Sequence, residues 1–142
     1  VLVDEAMART HASSLADALF TELSGGEQQR VQLARVLVQL AQAKTQPLLL
    51  LDEPISAQDM MQQHAIMHLA MNLAHKQGWA VLAVLHDINF AAHYCDQVCV
   101  LREGKMVTAG APEDCLRPDV IEAVWRYRPR SVVNDQGTVF YF

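Results

Sequence analysis

Two adjacent carboxylates directly follow a run of four leucines. Leu48–Leu51 is typical of a buried strand, and Asp52 and Glu53 come immediately after it. Ligands of open α/β sheets bind at the carboxyl ends of the strands, where a nucleotide and its metal would lie. Because successive strand residues point to opposite faces, one carboxylate can hold Mg²⁺ while the other faces an attacking water. This division of roles suits phosphoryl transfer. The alternative is a surface turn that begins with Asp-Glu.

A second candidate site is Leu23-Ser24-Gly25-Gly26-Glu27-Gln28, at the start of a predicted helix. Two glycines allow a backbone to approach an anion closely, and a helix N-terminus offers unpaired N–H groups. The alternative is structural, because Ser24-x-x-Glu27 is also the pattern of a capping box. Both interpretations can hold, since a cap and a phosphate contact use the same helix end.

His86 follows a second apolar run, Trp79–Leu85. A parallel sheet would bring this histidine to the same edge as Asp52 and Glu53, where an imidazole can hydrogen-bond a terminal phosphate. The alternative is a histidine that caps a strand-to-helix turn.

Alternating helices and apolar strands are predicted to position these residues. In the first half these are helices over Val1–Arg9 and Ser13–Leu19, a helix from Ser24 that ends at Gln46-Pro47, a strand over Leu48–Leu51, a helix over Asp59–Lys76 and a strand over Trp79–Leu85. The inward stripes of the two long helices are predicted to be Val31, Ala34, Leu37, Val38 and Ala41, and Ile66, Leu69, Ala70 and Leu73. Gly78 is expected to stop the second of these helices.

The second half alternates in the same way and then turns antiparallel. The predicted elements are a helix over Asn89–Tyr94, a strand over Gln97–Arg102, a hairpin through Glu103-Gly104 into Lys105–Ala109, helices from Pro112 and over Asp119–Trp125, and a terminal hairpin turn at Asn134–Gly137. The pattern predicts an α/β fold with a parallel sheet buried on both faces and an antiparallel appendage.

The composition narrows the class of protein. A net charge of −5 over 142 residues argues against a nucleic-acid partner. No apolar run approaches the roughly 18 residues of a membrane helix. Cys95, Cys99 and Cys115 form no C-x-x-C pair and are expected to be reduced, mostly packed thiols. Because the first residue is Val1, the chain is expected to begin inside a longer protein.

The motifs resemble those of the ABC ATPases, in that family's order. L-S-G-G-E-Q-Q-R at 23–30 resembles the signature loop, and L-L-L-L-D-E-P at 48–54 resembles Walker B with its glutamate. S-A-Q-D at 56–59 resembles the D-loop, and L-H-D at 85–87 resembles the H-loop. The resemblance implies a P-loop NTPase fold and a single partial ABC ATPase domain. Its parts would be the end of the helical subdomain with the signature helix (1–45), the catalytic core (46–101) and a C-terminal hairpin, helices and tail (102–142).

The resemblance also implies a role for each candidate residue. In the family two ATPase domains pair head to tail, so that the signature of one closes over ATP held by the other. The residues implied to contact that nucleotide are Ser24, Gly25, Gly26 and Gln28. Asp52 would hold Mg²⁺, Glu53 would polarise the attacking water and His86 would clamp the γ-phosphate. Asp59 would communicate across the dimer.

The sequence departs from the family pattern in two ways. Ile55 stands where the family usually has Thr, and Gln58 where it usually has Leu, and neither removes a group assigned to chemistry. The phosphate loop G-x-x-x-x-G-K-[S/T], the glutamine loop and the adenine-stacking aromatic are missing from the 142 residues. The chain is therefore expected to carry one half of each composite ATP site and to be inactive alone.

The run at 23–40 and the following stretch Ala41–Pro47 resemble the ATP-binding subunits of haem importers, and 84–96 also resembles siderophore and cobalamin importers. The resemblance implies an ATPase at the cytoplasmic face of the inner membrane, paired with permease subunits and, indirectly, a periplasmic binding protein. The alternatives are a soluble non-transport ABC protein and an inactive truncated fragment. His64, His68 and His75 lie beside several methionines at helical spacing, but a partly exposed helix explains them better than a metal or haem ladder.

Overall fold

A computed structural model describes residues 2–135, 137 and 139–142. It forms two compact units, residues 1–84 and 85–142. The division into a single domain with three parts stays a prediction. No helix in the described part of the chain is long and apolar enough to cross a membrane.

Within its described residues, the first unit has three α-helices, two short 3₁₀ helices and a two-stranded parallel sheet. The α-helices and strands are α1 (Leu2–Arg9), α2 (Gly25–Leu40), β1 (Leu48–Asp52), α3 (Met60–Gln77) and β2 (Ala80–Val84). Strands β1 and β2 pair from Leu48↔Ala80 to Asp52↔Val84, with α3 as the crossover between them. Parallel neighbours need such a crossover. The predicted α/β order and parallel pairing are therefore confirmed, while residue 1 of the predicted first helix lies outside the described residues.

The core of the first unit lies between the helices and one face of the sheet. Its buried members are Ala6, Ala34, Leu37, Leu49, Leu69 and Leu73. The inward stripe predicted for α3 is confirmed, since all four of its residues are buried. Gly78 ends α3 in the left-handed conformation (φ 68°), with its N–H donating to the Ala74 carbonyl at 3.1 Å.

The other face of this sheet is uncovered, which contradicts the predicted burial on both faces. Leu48, Leu50, Leu82 and Val84 are all at least half exposed, and Leu50 reaches 64%. The alternation follows from the pleat: Leu49, Leu51 and Val81 point toward the helices, and their neighbours point away. The two apolar runs were correctly predicted to form strands. Within the described residues, however, only one face of the β1–β2 pair is covered by a packing layer.

Two helix predictions are wrong in extent. Of the helix predicted over Ser13–Leu19, only Ser13–Leu15 is helical, as a short 3₁₀ helix with no side-chain cap. A second short 3₁₀ helix, Phe20–Glu22, follows the predicted range. Helix α2 ends at Leu40, and Ala41 is exposed rather than part of the inward stripe. Leu40 is the last residue of α2 that packs on the core, so the helix stops where burial no longer stabilises it.

The second unit contains α4 (Ile88–Tyr94), β3 (Val98–Arg102), β4 (Lys105–Gly110), α5 (Pro112–Cys115), α6 (Pro118–Trp125), β5 (Ser131–Val133) and β6 (Val139–Tyr141). Both predicted hairpins are confirmed as antiparallel pairs. Glu103 and Gly104 turn the first with φ values of 51° and 73°, as a tight hairpin turn requires. In the second, the Gly137 N–H donates to the Asn134 carbonyl at 2.9 Å, while residue 136 of the predicted turn lies outside the described residues.

The core of the second unit consists of Val100, Cys115, Leu116, Ile121 and Tyr141. Asn89 ties α4 to β6 reciprocally: its amide donates to the Tyr141 carbonyl at 3.0 Å, and its Oδ1 accepts from the Tyr141 N–H at 2.7 Å. Cys115 is buried, Cys95 half-buried and Cys99 exposed, and all three are free thiols.

Candidate functional site

The carboxylates that follow β1 are presented at the carboxyl end of a parallel strand. Asp52 is the last residue of β1 and pairs with Val84, the last residue of β2. The Glu53 N–H continues this pairing by donating to the Val84 carbonyl at 3.2 Å. Both carboxylates are exposed, so the strand end offers them to a ligand outside the sheet.

Glu53 does not continue the strand, so the reason given for the two carboxylates pointing in different directions does not apply. Strand alternation was expected to separate the two carboxylates, but β1 ends at Asp52 and Glu53 has a φ of 46°. A non-glycine residue in this left-handed region costs free energy and is held there by its surroundings. Strand alternation therefore does not set the direction of the Glu53 side chain, and the separation of the two carboxylates stays a prediction.

The loop after Glu53 folds back tightly on that residue. The Ser56 N–H and hydroxyl both donate to the Glu53 carbonyl, at 3.2 and 3.0 Å. The side chain of Gln29, on α2, donates to the same oxygen at 3.3 Å. Three donors from two elements thus fix the peptide that follows the bent residue.

The predicted capping box at the start of α2 is present. The Ser24 N–H donates to Glu27 Oε2 at 2.8 Å, and the Glu27 N–H donates to Ser24 Oγ at 3.4 Å. The Ser24 hydroxyl also donates to Glu27 Oε2, at 2.6 Å. These bonds from Ser24, the hydroxyl first, hold the pKa of the Glu27 carboxyl below its usual value. The structural interpretation of this motif is confirmed, and its contact with a phosphate stays a prediction.

The other signature residues differ in how much room surrounds them. Gly25 has nothing within 4 Å of the position a Cβ would take. At Gly26 a Cβ would lie 2.6 Å from the Ala57 carbonyl oxygen. Gln28 turns its amide inward and donates to the carbonyls of Phe20 and Leu23, both at 3.1 Å. Its side chain therefore ties α2 to the segment before it, and a nucleotide contact by Gln28 stays a prediction.

Gln58 is a site residue that sequence reasoning undervalued. Its side chain is buried and reaches α2, donating to the Gly26 carbonyl at 3.0 Å and to Gln29 Oε1 at 2.8 Å. Its own Oε1 accepts from Arg30 Nη1 at 3.1 Å. The only signal in the sequence was the departure from the usual leucine.

Asp59 has a clear structural task. Its carboxylate accepts from the Gln62 N–H at 2.9 Å and caps α3. An aspartate at this position is a strong N-cap, and the cap orients the carboxylate along the helix start. Communication across a dimer stays a prediction for Asp59.

His86 lies in the second unit, two residues after the end of β2. The proposed alternative, a capping histidine, is wrong, because Asp87 caps α4 by accepting from the Asn89 and Phe90 N–H groups at 2.7 and 3.4 Å. His86 is exposed. Its predicted position beside Asp52 and Glu53 stays a prediction.

The residues present fit Mg²⁺ as an ion held largely by a nucleotide and water. No group of three or more His, Cys, Asp or Glu side chains that could hold a metal lies within residues 2–135, 137 and 139–142. Mg²⁺ is usually bound through one or two carboxylates together with phosphates and waters. The exposed Asp52 carboxylate at the end of β1 is a donor of this kind.

Several known proteins with similar sequences are named for hemin import. Residues 2–56 match the family model described as ABC transporter. A hemin import ATP-binding protein of Shewanella denitrificans is 52% identical over 126 residues, which are 89% of this chain and 50% of that protein. One from Pseudomonas aeruginosa is 46% identical over 124 residues, 87% of this chain and 48% of that protein. The chain thus spans about half the length of the curated relatives it matches.

Solved structures share the fold. An ABC transporter in an inward-facing conformation matches with a TM-score of 0.80 over 99% of this chain and 56% of that chain, at 23% identity. A dimeric ATP-binding cassette in a post-hydrolysis state with ADP and Pi matches with a TM-score of 0.65, at 31% identity, over 76% of this chain and 44% of that chain.

Proposed function

Because the chain belongs to the ABC transporter ATPases, we propose that the complete protein is the ATP-hydrolysing subunit of an ABC importer for haem. Its fold is a partial ABC ATPase domain, as predicted. The observation that supports haem as the cargo is the 52% identity, over 89% of this chain, to a protein named for hemin import.

In the proposed mechanism two copies pair head to tail, and each copy faces two nucleotides. The start of α2, with Ser24, Gly25, Gly26 and Gln28, contacts ATP held by the partner copy. Unpaired N–H groups at a helix N-terminus attract a phosphate, and the helix dipole adds to the attraction. The Ser24 hydroxyl must then leave Glu27, to which it donates here at 2.6 Å, if it is to donate to a phosphate oxygen.

The second half of each site is the end of β1. Asp52 would hold Mg²⁺, which when bound neutralises charge on the phosphates. Glu53 accepts a proton from the attacking water. His86 donates a hydrogen bond to the γ-phosphate. Glu53, Asp52 and the start of α2 thus divide base, metal and anion binding among three positions.

The exposed face of the sheet supports a larger ATPase domain. Four large apolar residues on this face are at least half exposed, and the curated relatives are about twice as long as this chain. A packing layer from the rest of the domain, which includes the phosphate loop, would cover them. Burial of such side chains contributes about 1.5–3 kcal/mol each.

The partners of the complete protein would be a second copy of itself, two permease subunits in the inner membrane and, indirectly, a periplasmic binding protein. The subunit would be peripheral, on the cytoplasmic face. The cargo would be chosen by the permease and binding protein, because an ATPase at that face meets only the permease.

Reconstitution tests the cargo directly. The complete subunit is placed in liposomes with its own permease and binding protein, and ATPase activity and uptake are measured with haem, a ferric siderophore and cobalamin. Stimulation by haem alone is expected. Stimulation by the siderophore or cobalamin with none by haem would overturn the haem assignment and leave the importer assignment in place. Absence of ATPase activity from the complete, assembled protein would overturn both.

A further inference from the structure

We propose that Gln58 is a positioning residue that locks the start of α2 to the loop carrying Glu53, so that this protein depends on a glutamine where the family usually has leucine. The inference rests on the proposed ATPase function. It assigns to Gln58 a role in the turnover step rather than in nucleotide binding.

Both the nitrogen and the oxygen of the Gln58 side-chain amide form hydrogen bonds with residues of α2. Nε2 donates to the Gly26 carbonyl at 3.0 Å and to Gln29 Oε1 at 2.8 Å, and Oε1 accepts from Arg30 Nη1 at 3.1 Å. The side chain is only 9% exposed. The three partners are 28 to 32 residues away in sequence, so the bonds join two separate elements rather than stabilise a local turn.

A second set of contacts also holds the start of α2 against the loop that contains Ala57 and Gln58. A Cβ at Gly26 would meet the Ala57 carbonyl oxygen at 2.6 Å, so the backbones of the two segments touch at a residue without a side chain. Gln29, which accepts from Gln58, in turn donates to the Glu53 carbonyl at 3.3 Å. A chain of hydrogen bonds therefore runs from Gln58 through Gln29 to the peptide that follows the bend at Glu53.

The role of these hydrogen bonds follows from the two segments that they connect. Gly26 lies in the segment proposed to contact one nucleotide, and Glu53 is the proposed base for the other. Displacement of a catalytic group by about 1 Å can slow turnover by up to about 100-fold. A rigid link between the two segments therefore keeps the base in place while the start of α2 takes up a phosphate.

Leucine at position 58 would break the link while nearly preserving volume. It offers no donor or acceptor, so the Gly26 carbonyl, Gln29 Oε1 and Arg30 Nη1 would each lose a partner in a partly buried environment. Removing one partner of a buried hydrogen bond destabilises the folded protein more than replacing both partners with apolar groups. The residue typical of the family is thus expected to be harmful in this chain.

The test compares two leucine substitutions in the complete, reconstituted ATPase. Gln58→Leu is expected to lower kcat by about 10-fold to 100-fold with KM for ATP changed less than about threefold. Gln63→Leu is the matched control. Gln63 donates to the carbonyls of Ile55 and Gln58 at 3.1 and 3.2 Å, so it supports the same loop without reaching α2. Its kcat should stay within about twofold of the parent.

A double substitution separates positioning from a general loss of stability. When Gln29 is already replaced by leucine, the fold-decrease in kcat caused by Gln58→Leu should be at least about threefold smaller. The reason is that the two side chains belong to the same series of hydrogen bonds. Equal loss of kcat in Gln58→Leu and Gln63→Leu, additive effects of positions 58 and 29, or an unchanged kcat in Gln58→Leu would each overturn the inference. If the unsubstituted complete protein hydrolyses no ATP, the proposed function fails instead.

Discussion

A methyl group on Gly26 would lie 2.6 Å from the carbonyl oxygen of Ala57, closer than carbon and oxygen can pack. That oxygen belongs to the backbone, so neither segment can give way by a side-chain rotation. Gly25, the preceding residue, has open space at the same position. Close packing therefore requires glycine at position 26, whereas packing would permit a larger residue at position 25.

Gly26→Ala and Gly25→Ala are expected to have different effects on stability. Gly26→Ala should lower the free energy of unfolding by about 1–3 kcal/mol, as overpacking does. Gly25→Ala, in the first turn of α2, should leave it unchanged or raise it by up to about 1 kcal/mol, because alanine favours the helix. Urea unfolding of the complete protein measures both. Equal destabilisation by the two changes would contradict the close contact with Ala57.

Glu53→Gln should keep nucleotide binding and slow hydrolysis by about 10²- to 10⁴-fold, because it removes a positioned base and leaves the shape of the side chain. His86→Ala should slow hydrolysis similarly while leaving Mg²⁺ binding largely intact. Turnover and ATP-dependent dimerisation of the complete protein are measured together. Near-normal turnover in Glu53→Gln would remove the base assignment.

The backbone at Glu53 predicts a reversal of the usual order of glycine and alanine. Both Glu53→Gly and Glu53→Ala delete the carboxylate, but only glycine accepts a φ of 46° without strain. The glycine variant should therefore be more stable than the alanine variant by about 1 kcal/mol. Thermal or urea unfolding compares them, and an alanine variant of equal or greater stability would contradict the left-handed conformation.

The capping box makes stability depend on pH through Glu27. Hydrogen bonds from Ser24 lower the folded pKa of this carboxyl below its ordinary value of 4.5, so folding favours the carboxylate. The stabilisation is complete at pH values above 4.5 and is lost as the pH falls through the lowered folded value. Glu27→Gln keeps a capping oxygen but cannot titrate, so its unfolding midpoint in urea should fall less on acidification than the parent's. Parallel curves for the two proteins would remove Glu27 from the pH dependence.

The 142-residue chain alone should not hydrolyse ATP, because its sequence contains no phosphate loop to hold the β- and γ-phosphates. Phosphate release by the purified chain is measured across ATP concentrations with and without Mg²⁺. Saturable, Mg²⁺-dependent turnover would refute this prediction.

Elements with local signals were predictable from the sequence. The Ser24-x-x-Glu27 spacing gave the start of α2, and Gly78 gave the end of α3, because a cap and a left-handed terminator act over only a few residues. The end of α2 was not predictable in this way. Residues after Leu40 are compatible with a helix, and the loss of packing on the core ends it.

The parts of the site that depend on tertiary contacts were missed or misassigned. The bend at Glu53 has no local signal, since glutamate rarely adopts a positive φ and the surrounding hydrogen bonds hold it there. Gln58 looked neutral in sequence because its value depends on α2, more than 25 residues away. Asp87 and not His86 caps α4, although either residue type at that turn was compatible with the sequence.

The uncovered face of the β1–β2 pair also bears on the fate of the chain in a cell. Leu48, Leu50, Leu82 and Val84 present an apolar strip on a short parallel sheet, the kind of surface that chaperones and proteases bind in incompletely assembled proteins. During folding of the complete protein, the strip would stay open to self-association or degradation until its packing layer has formed. The order in which the segments of the complete protein fold therefore bears on how much of it accumulates.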